Sequence, residues 1–185
     1  AAEDAESRGN PQCKLNWILD TSAEERERQI TIDPKYRRAK SKATSQDFVF
    51  IDLPGYVAYD KEFMRGLSQA DQVVVVVSAA RYDELSLFNH LGGMRDYFQI
   101  LSGFGFSNHN IIVAVNKMDD PQVKEDAQRL KYIRNFVDDC MQKAGMDPNA
   151  VQVVPVSALE GEGVDKLVHA IESLPAPHYA GETAS

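Results

Sequence analysis

Four short runs of apolar residues divide the chain, and each run predicts a β-strand. They span residues 47–51, 72–77, 110–115 and 151–156. Their apolar character is continuous rather than alternating, which is typical of parallel strands that are buried on both faces. We therefore expect these segments to lie inside one sheet.

Helical patterns separate the strands, and the clearest one covers residues 123–144. Apolar side chains recur there every three or four positions, which predicts one core-facing stripe. The stripe consists of Val123, Ala127, Leu130, Ile133, Val137, Cys140 and Ala144. Gly145 is suited to end this helix, and residues 16–27 and 164–174 predict two more helices. Strands that alternate with helices predict an α/β fold with a doubly wound, mainly parallel sheet, which binds ligands at the carboxyl ends of its strands.

The composition fits one globular domain. The chain has 185 residues, of which 43% are hydrophobic and 26% charged. It has no apolar run of about 18 residues and no secretory leader pattern, so we expect no membrane partner. The net charge of -8 disfavours nonspecific nucleic-acid binding by the whole surface. The two cysteines, Cys13 and Cys140, lie in no metal-ligand spacing, which favours a reducing compartment, with Cys140 as a core thiol. We expect a cytoplasmic location, with targeting to an organelle as the open alternative.

The segment Asn116-Lys117-Met118-Asp119 directly follows the third apolar run. A carboxylate at this place can accept hydrogen bonds from both the ring N–H and the exocyclic amine of guanine. Adenine has an acceptor where guanine has the ring donor, so a site of this kind can discriminate by roughly 10⁴-fold. Taken alone, the four residues fit an ordinary strand-to-turn surface loop equally well.

Two further segments favour the nucleotide interpretation. Asp52-Leu53-Pro54-Gly55 follows the first apolar run, and Ser157-Ala158-Leu159 follows the last one. In order and rough spacing, the three segments resemble the switch II, base-recognition and base-supporting motifs of guanine-nucleotide-binding domains. Upstream, residues 17–33 resemble the switch I segment of translational GTPases, most closely the group of elongation factor 1-alpha, the release-factor-3 GTPase and the ribosome-rescue GTPase. The resemblance runs to about Leu174.

The resemblance implies a guanine nucleotide, GTP or GDP, as ligand. Asp119 would read the guanine edge, Asn116 would brace the loop and the base, and Lys117 would pack its stem on the ring. Ala158 would give a backbone N–H to the guanine carbonyl, and Ser157 would order that turn. The implied base contacts are thus Asn116, Lys117, Asp119, Ser157, Ala158 and Leu159.

The resemblance also implies a Mg²⁺ site and a phosphate sensor. Thr31 would bind the metal through its hydroxyl, Asp52 would hold it through water, and the Gly55 amide would sense the γ-phosphate, where glycine permits a close approach. The simpler alternatives are that Thr31 is only a strand residue and that Pro54 and Gly55 form only a turn.

The chain departs from the family pattern at several positions. Tyr56 stands where the family has the histidine that orients the attacking water, and a phenol lacks the change of charge near neutral pH that an imidazole offers. Gln29 replaces a usual glycine, and Tyr97 lies where the family has a different pattern.

Two functions therefore stay open. The intact parent could hydrolyse GTP as a translation factor that brings tRNA or a release or rescue factor to the ribosome, or it could be a degenerate GTPase that serves as a docking scaffold in a ribonucleoprotein particle.

The phosphate-binding loop of the family ends in Gly-Lys-Ser/Thr, and none of the 11 glycines here precedes a lysine. The family places that loop before the segment at which this sequence begins. We therefore expect a partial P-loop GTPase-like G domain without its first strand and phosphate loop, and weak or undetectable GTP affinity for these residues alone. A fragment of a longer protein is the simpler explanation, and a natural protein that has lost the loop is the alternative. Residues 1–14 would be flexible, 15–174 would form the G domain, and 175–185 would be a linker.

A basic segment replaces an apolar-alternating strand of the family. Its cations are Lys35, Arg37, Arg38, Lys40 and Lys42, with no acidic residue among them. A solvated edge strand or hairpin is one interpretation, because edge strands commonly carry lysine to block further pairing. An RNA-phosphate contact is the other, and its affinity would fall steeply with salt.

Overall fold

The computed structural model describes residue 24 and residues 31–41, 43–55, 59–80 and 93–175. The chain forms two compact units, residues 1–70 and residues 71–185. The helix expected at 16–27 lies outside the described residues except for Glu24, which is helical. Residues 1–14, which were expected to be flexible, Cys13, Gln29 and residues 176–185 of the expected linker also lie outside them.

The first unit is built around an antiparallel hairpin. Strand β1 (Lys35–Lys40) pairs with β2 (Asp47–Asp52), so that Lys35 is opposite Asp52 and Lys40 is opposite Asp47. The helix α1 (Asp60–Leu67) follows. It packs closely on the chain, because a Cβ on its Gly66 would collide with the Leu53 side chain.

The prediction that residues 47–51 form a buried parallel strand is wrong. Only residues 41–46 connect β1 to β2, whereas a parallel pair needs a crossover of a dozen or more residues. The partner strand β1 is basic, so β2 has no second apolar strand beside it in this ribbon. Val49 and Phe50 are accordingly exposed. The interpretation of the basic segment as an exposed hairpin strand is confirmed.

The second unit is a three-stranded parallel sheet in the order β3-β4-β5. The strands are β3 (Val73–Ser78), β4 (Ile111–Asn116) and β5 (Gln152–Pro155). The central strand is the core, since every residue from Ile111 to Val115 is at most 1% exposed. The predicted parallel pairing is confirmed for these strands. Burial on both faces is not found for β3, whose Val76 is 64% exposed.

Helices surround this sheet. They are α2 (Gly93–Gly103), α3 (Pro121–Glu125), α4 (Arg129–Lys143) and α5 (Val164–Ser173), with a short 3₁₀ turn at Pro148–Ala150. The α5 residue Ala170 packs with Ile112 and Ala114 on one face of β4. Since side chains alternate along a strand, Val113 and Val115 face the other side and are also fully buried. The α/β class of the fold is confirmed.

The single helix expected over residues 123–144 is interrupted between α3 and α4. Asp126 is not helical, and its carboxylate accepts a hydrogen bond from the Gln128 N–H at 3.1 Å, an Asx-type turn that competes with the helix. Ala127 is exposed as a result, although it was placed on the stripe. Within α4 the stripe is confirmed by Val137 and by Cys140, which is the expected core thiol. Gly145 ends the helix with a φ of 77°, as predicted. No helix in the described part of the chain is both long and apolar enough to cross a bilayer.

Candidate functional site

The loop after β4 is anchored by the side chain of Asn116. Its Oδ1 accepts hydrogen bonds from the backbone N–H of Lys117 at 2.7 Å and from that of Ala158 at 3.0 Å. One amide oxygen therefore joins the loop after β4 to the turn after β5, across 42 positions of the sequence. Lys117 has a φ of 68°, a left-handed conformation that costs free energy for any residue with a Cβ and that gives the loop its sharp bend.

The carboxylate of Asp119 is fixed by a buried hydroxyl. Ser157 is 0% exposed, and its Oγ donates a hydrogen bond to Asp119 Oδ1 at 2.6 Å. The same Oγ accepts a hydrogen bond from the Glu160 N–H at 3.0 Å. A hydrogen bond to an ionised acceptor is about twice as strong as one between neutral groups. Ser157 therefore both closes its own turn and holds the acid in one orientation.

The turn after β5 is closed by its backbone. The N–H of Ser157 donates to the Glu162 carbonyl and that of Gly161 donates to the Ser157 carbonyl, each at 2.8 Å. Gly163 follows with a φ of 74°, and a Cβ there would collide with the Pro155 carbonyl oxygen. Only glycine both adopts this φ at low cost and leaves room for the Pro155 oxygen. The helix α5 begins directly after it.

An ion pair between α3 and the turn after β5 was not expected from the sequence. Lys124 Nζ lies 3.6 Å from Glu160 Oε2 at an exposed site. The two residues carry no shared pattern, so no signal in the sequence relates them. A cap that the sequence does signal is Asp120, which precedes Pro121 and accepts a hydrogen bond from the Gln122 N–H at 2.9 Å.

These contacts arrange a set of acceptors and donors suited to one base. Asp119 Oδ2 has no hydrogen bond within the described part of the chain, so both oxygens of the carboxylate can accept from a ligand. The Ala158 N–H, which was assigned to the guanine carbonyl, donates here to Asn116 Oδ1. Its role toward a base stays a prediction, and a guanine carbonyl would have to share this N–H. Leu159 is 62% exposed beside it.

The first unit brings together the two residues predicted to hold a metal. Thr31 Oγ1 donates a hydrogen bond to Asp52 Oδ2 at 3.2 Å, and Asp52 is the last residue of β2. Hydroxyl and carboxylate oxygens are the donors that Mg²⁺ prefers, so this pair fits that ion. Gly55 is exposed, and a Cβ added to it would meet nothing within 4 Å. Tyr56, the candidate for positioning water, lies outside the described residues.

The three-stranded sheet is parallel, the Asn116-to-Asp119 loop follows its central strand, and a turn joined to that loop follows β5. The family model described as the elongation factor Tu GTP binding domain matches residues 1–176, and the chain belongs to that family. It is 36% identical over 181 residues to elongation factor 1-alpha of Aeropyrum pernix and 34% identical over 182 residues to that of Hyperthermus butylicus. Each match covers 98% of this chain and 39% of the relative, so the chain spans about two fifths of their length.

Solved structures agree on the fold. The GTPase-like domain of S. cerevisiae Ski7, bound to GDP and inorganic phosphate, superimposes with a TM-score of 0.69 at 19% identity, over 97% of this chain and 39% of that one. The bacterial selenocysteine-specific elongation factor EF-Sec gives a TM-score of 0.64 at 21% identity, over 84% of this chain and 24% of that one. The expected membership of the translational GTPases is confirmed.

Proposed function

We propose that the full-length protein binds GTP with Mg²⁺ through this domain and hydrolyses it to GDP while acting at the ribosome as an elongation-type or release-type translation factor. The observation that carries the proposal is the 2.6 Å hydrogen bond from buried Ser157 to Asp119, which orients a carboxylate at the carboxyl end of the sheet. Membership of the elongation factor family supports the role in translation. The protein would carry tRNA or a release or rescue factor and work in the cytoplasm.

Each group has a role in this scheme. Asp119 accepts from the guanine ring N–H and amine, Asn116 holds the loop, and the stem of Lys117 packs on the base. Thr31 would bind Mg²⁺ through its hydroxyl and Asp52 would hold it through water, and the ion would neutralise phosphate charge. The remaining catalysis would be positioning of an in-line water, as in other phosphoryl transfers, and Tyr56 stands at the sequence position where the family has its water-orienting histidine.

Nucleotide binding is tested by denaturing the purified full-length protein and identifying any released GDP or GTP by chromatography. The Asp119→Asn protein should lose its preference for GTP over ATP, because the amide NH₂ turns a donor toward the donors of guanine. Asp120→Asn is a matched control, since asparagine caps α3 as well as aspartate does. The proposal would be contradicted if both variants lost the preference for GTP equally, or if the wild-type protein released no nucleotide.

The second candidate is a scaffold that binds nucleotide without turnover, and Tyr56 in place of the family histidine favours it. Phosphate release measured with and without ribosomes distinguishes the two. If the rate of GTP hydrolysis falls in Tyr56→Phe while GTP affinity is unchanged, the phenol hydroxyl has a catalytic role. Bound nucleotide with no phosphate release in the wild type would assign the scaffold instead.

A further inference from the structure

The ladder of the hairpin leaves one of the two predicted metal residues outside it. Thr31 lies in residues 31–34, here called the Thr31 segment, and the ladder begins only at Lys35, which is opposite Asp52. The Thr31 hydroxyl nevertheless reaches the Asp52 carboxylate at 3.2 Å. A single hydrogen bond of this length is weak, so further contacts have to hold the Thr31 segment near Asp52. The helix α1 supplies two of them.

Gly66 brings α1 against both sides of the metal pair at once. It is buried, and a Cβ added to it would lie 3.2 Å from the Cβ and the Cγ of Pro34 and would collide with the Leu53 side chain. Pro34 belongs to the Thr31 segment, and Leu53 directly follows Asp52. The close approach of α1 therefore helps to set the distance between the two metal residues, and it needs a residue without a side chain.

The preceding residue of α1 holds the Thr31 segment by charge. Arg65 Nη2 donates a hydrogen bond to Asp33 Oδ1 at 3.1 Å. The backbone of Asp33 is restricted further, because the next residue is a proline. Between Asp33 and Thr31 only Ile32 remains to absorb a displacement. A shift of Asp33 is therefore passed on to the Thr31 hydroxyl.

The end of α1 is itself tied to the hairpin. Gln69 Nε2 donates hydrogen bonds to the Tyr36 hydroxyl at 3.1 Å and to the Arg65 carbonyl at 2.9 Å. Ser68 Oγ donates to the same carbonyl at 2.9 Å. Carbonyls in the last turn of a helix lack intrahelical donors, so these two side chains cap α1 at the turn that carries Arg65. The helix is thus a support fixed on β1.

We propose that Arg65 and Gly66 are positioning residues for Mg²⁺, because α1 sets the separation of Thr31 from Asp52. Magnesium demands near-ideal octahedral geometry, so a hydroxyl displaced from its carboxylate partner is a poorer ligand. Neither Arg65 nor Gly66 is a ligand in this scheme, and each acts through the residues that it holds. Their role rests on the proposed function, since it requires a nucleotide bound with Mg²⁺.

The test measures how much Mg²⁺ strengthens the binding of a fluorescent, non-hydrolysable GTP analogue to the full-length protein. The magnesium effect is the ratio of the dissociation constant in excess EDTA to that in excess Mg²⁺. Gly66→Ala should lower this effect about tenfold, the lower end of what residues supporting metal ligands contribute. Gly66→Ala/Leu53→Ala should recover most of it, because the colliding side-chain atom is removed. Gly103→Ala, whose Cβ would meet nothing within 4 Å, is the control.

Arg65→Met tests the ion pair, because it keeps the aliphatic stem and removes the charge. The side chains of Arg65 and Asp33 are 60% and 63% exposed. The magnesium effect should therefore fall by only about two- to threefold. Lys61→Met removes the same charge from another exposed position of α1 and is the matched control. Since Arg65 acts through Thr31, Arg65→Met should have no further effect in a Thr31→Ala protein.

Two results would overturn the positioning role while leaving the proposed function in place. One is a magnesium effect that falls in Thr31→Ala but is the same in Gly66→Ala as in Gly103→Ala. The other is a loss in Arg65→Met that is equally large with and without Thr31. A wild-type protein whose binding of the analogue does not respond to Mg²⁺ would overturn the proposed function, and the positioning role with it. Urea unfolding of each nucleotide-free variant separates a displaced Thr31 from a lost fold.

Discussion

Replacing Ser157 by alanine tests whether its buried hydroxyl organises the base site. The substitution removes the hydrogen bond to Asp119 at 2.6 Å and the one accepted from the Glu160 N–H at 3.0 Å. A hydrogen bond to a charged group contributes about 1.5–3 kcal/mol and a neutral one about 1 kcal/mol. Water can reach the partly exposed Asp119 and offsets part of this loss, so we expect the free energy of unfolding to fall by about 2–3 kcal/mol.

The same substitution should weaken guanine binding. In the variant the ligand itself must immobilise the Asp119 side chain, which costs about 0.5–1.5 kcal/mol. That range corresponds to a loss of about two- to tenfold in GDP affinity. Urea unfolding and equilibrium GDP binding measure the two effects, and Ser102→Ala, at an exposed position of α2, is the control. If Ser157→Ala unfolds within about 0.5 kcal/mol of the control and binds GDP equally well, the hydroxyl does not order the acid.

Three further substitutions separate structural roles from roles toward the nucleotide. Gly55→Ala should leave urea unfolding unchanged, because its Cβ would meet nothing within 4 Å, but should weaken GTP binding more than GDP binding. If the variant weakens both equally or neither, Gly55 does not sense the γ-phosphate. Thr31→Ala should make GTP binding less dependent on Mg²⁺ in a magnesium titration, because it removes a hydroxyl 3.2 Å from Asp52; an unchanged titration would leave Thr31 with no role toward the metal. Gly163→Ala should lower the free energy of unfolding by at least about 1–2 kcal/mol owing to its φ of 74°, whereas Gly103→Ala, at the end of α2, should not lower it.

The sequence predicted the parts of the fold whose signals are local. The continuous apolar run of β4 predicted a fully buried strand, and burial of at most 1% from Ile111 to Val115 agrees. The tetrapeptide beginning at Asn116 was expected at the carboxyl end of a strand, which is where it lies. Gly145 was expected to end a helix, since few other residues adopt a φ of 77° at low cost.

The predictions that were wrong, and the contacts that were not predicted, have physical reasons as well. The side chain of Asp126 competes for a backbone N–H and breaks a helix whose apolar spacing is uninterrupted on both sides. The apolar residues Phe48 to Ile51 predicted a buried parallel strand. The connection from β1 to β2 has only six residues, however, and this short connection makes the pair antiparallel. The hydrogen bond from Ala158 to Asn116 joins residues 42 positions apart, and no periodicity along the chain reports such a contact.

Within the described residues β3 pairs with β4 only, and its exposed valine has a consequence for how the chain behaves in solution. Residues 73–77 are five consecutive valines, and Val76 is 64% exposed. A short, uncharged, β-branched segment without proline is the type of sequence that stacks with copies of itself into cross-β aggregates. The edge carries none of the charged residues that protect other edge strands, including β1 of this chain. Any contact that covers Val76 is therefore expected to lower the tendency of this segment to stack with copies of itself.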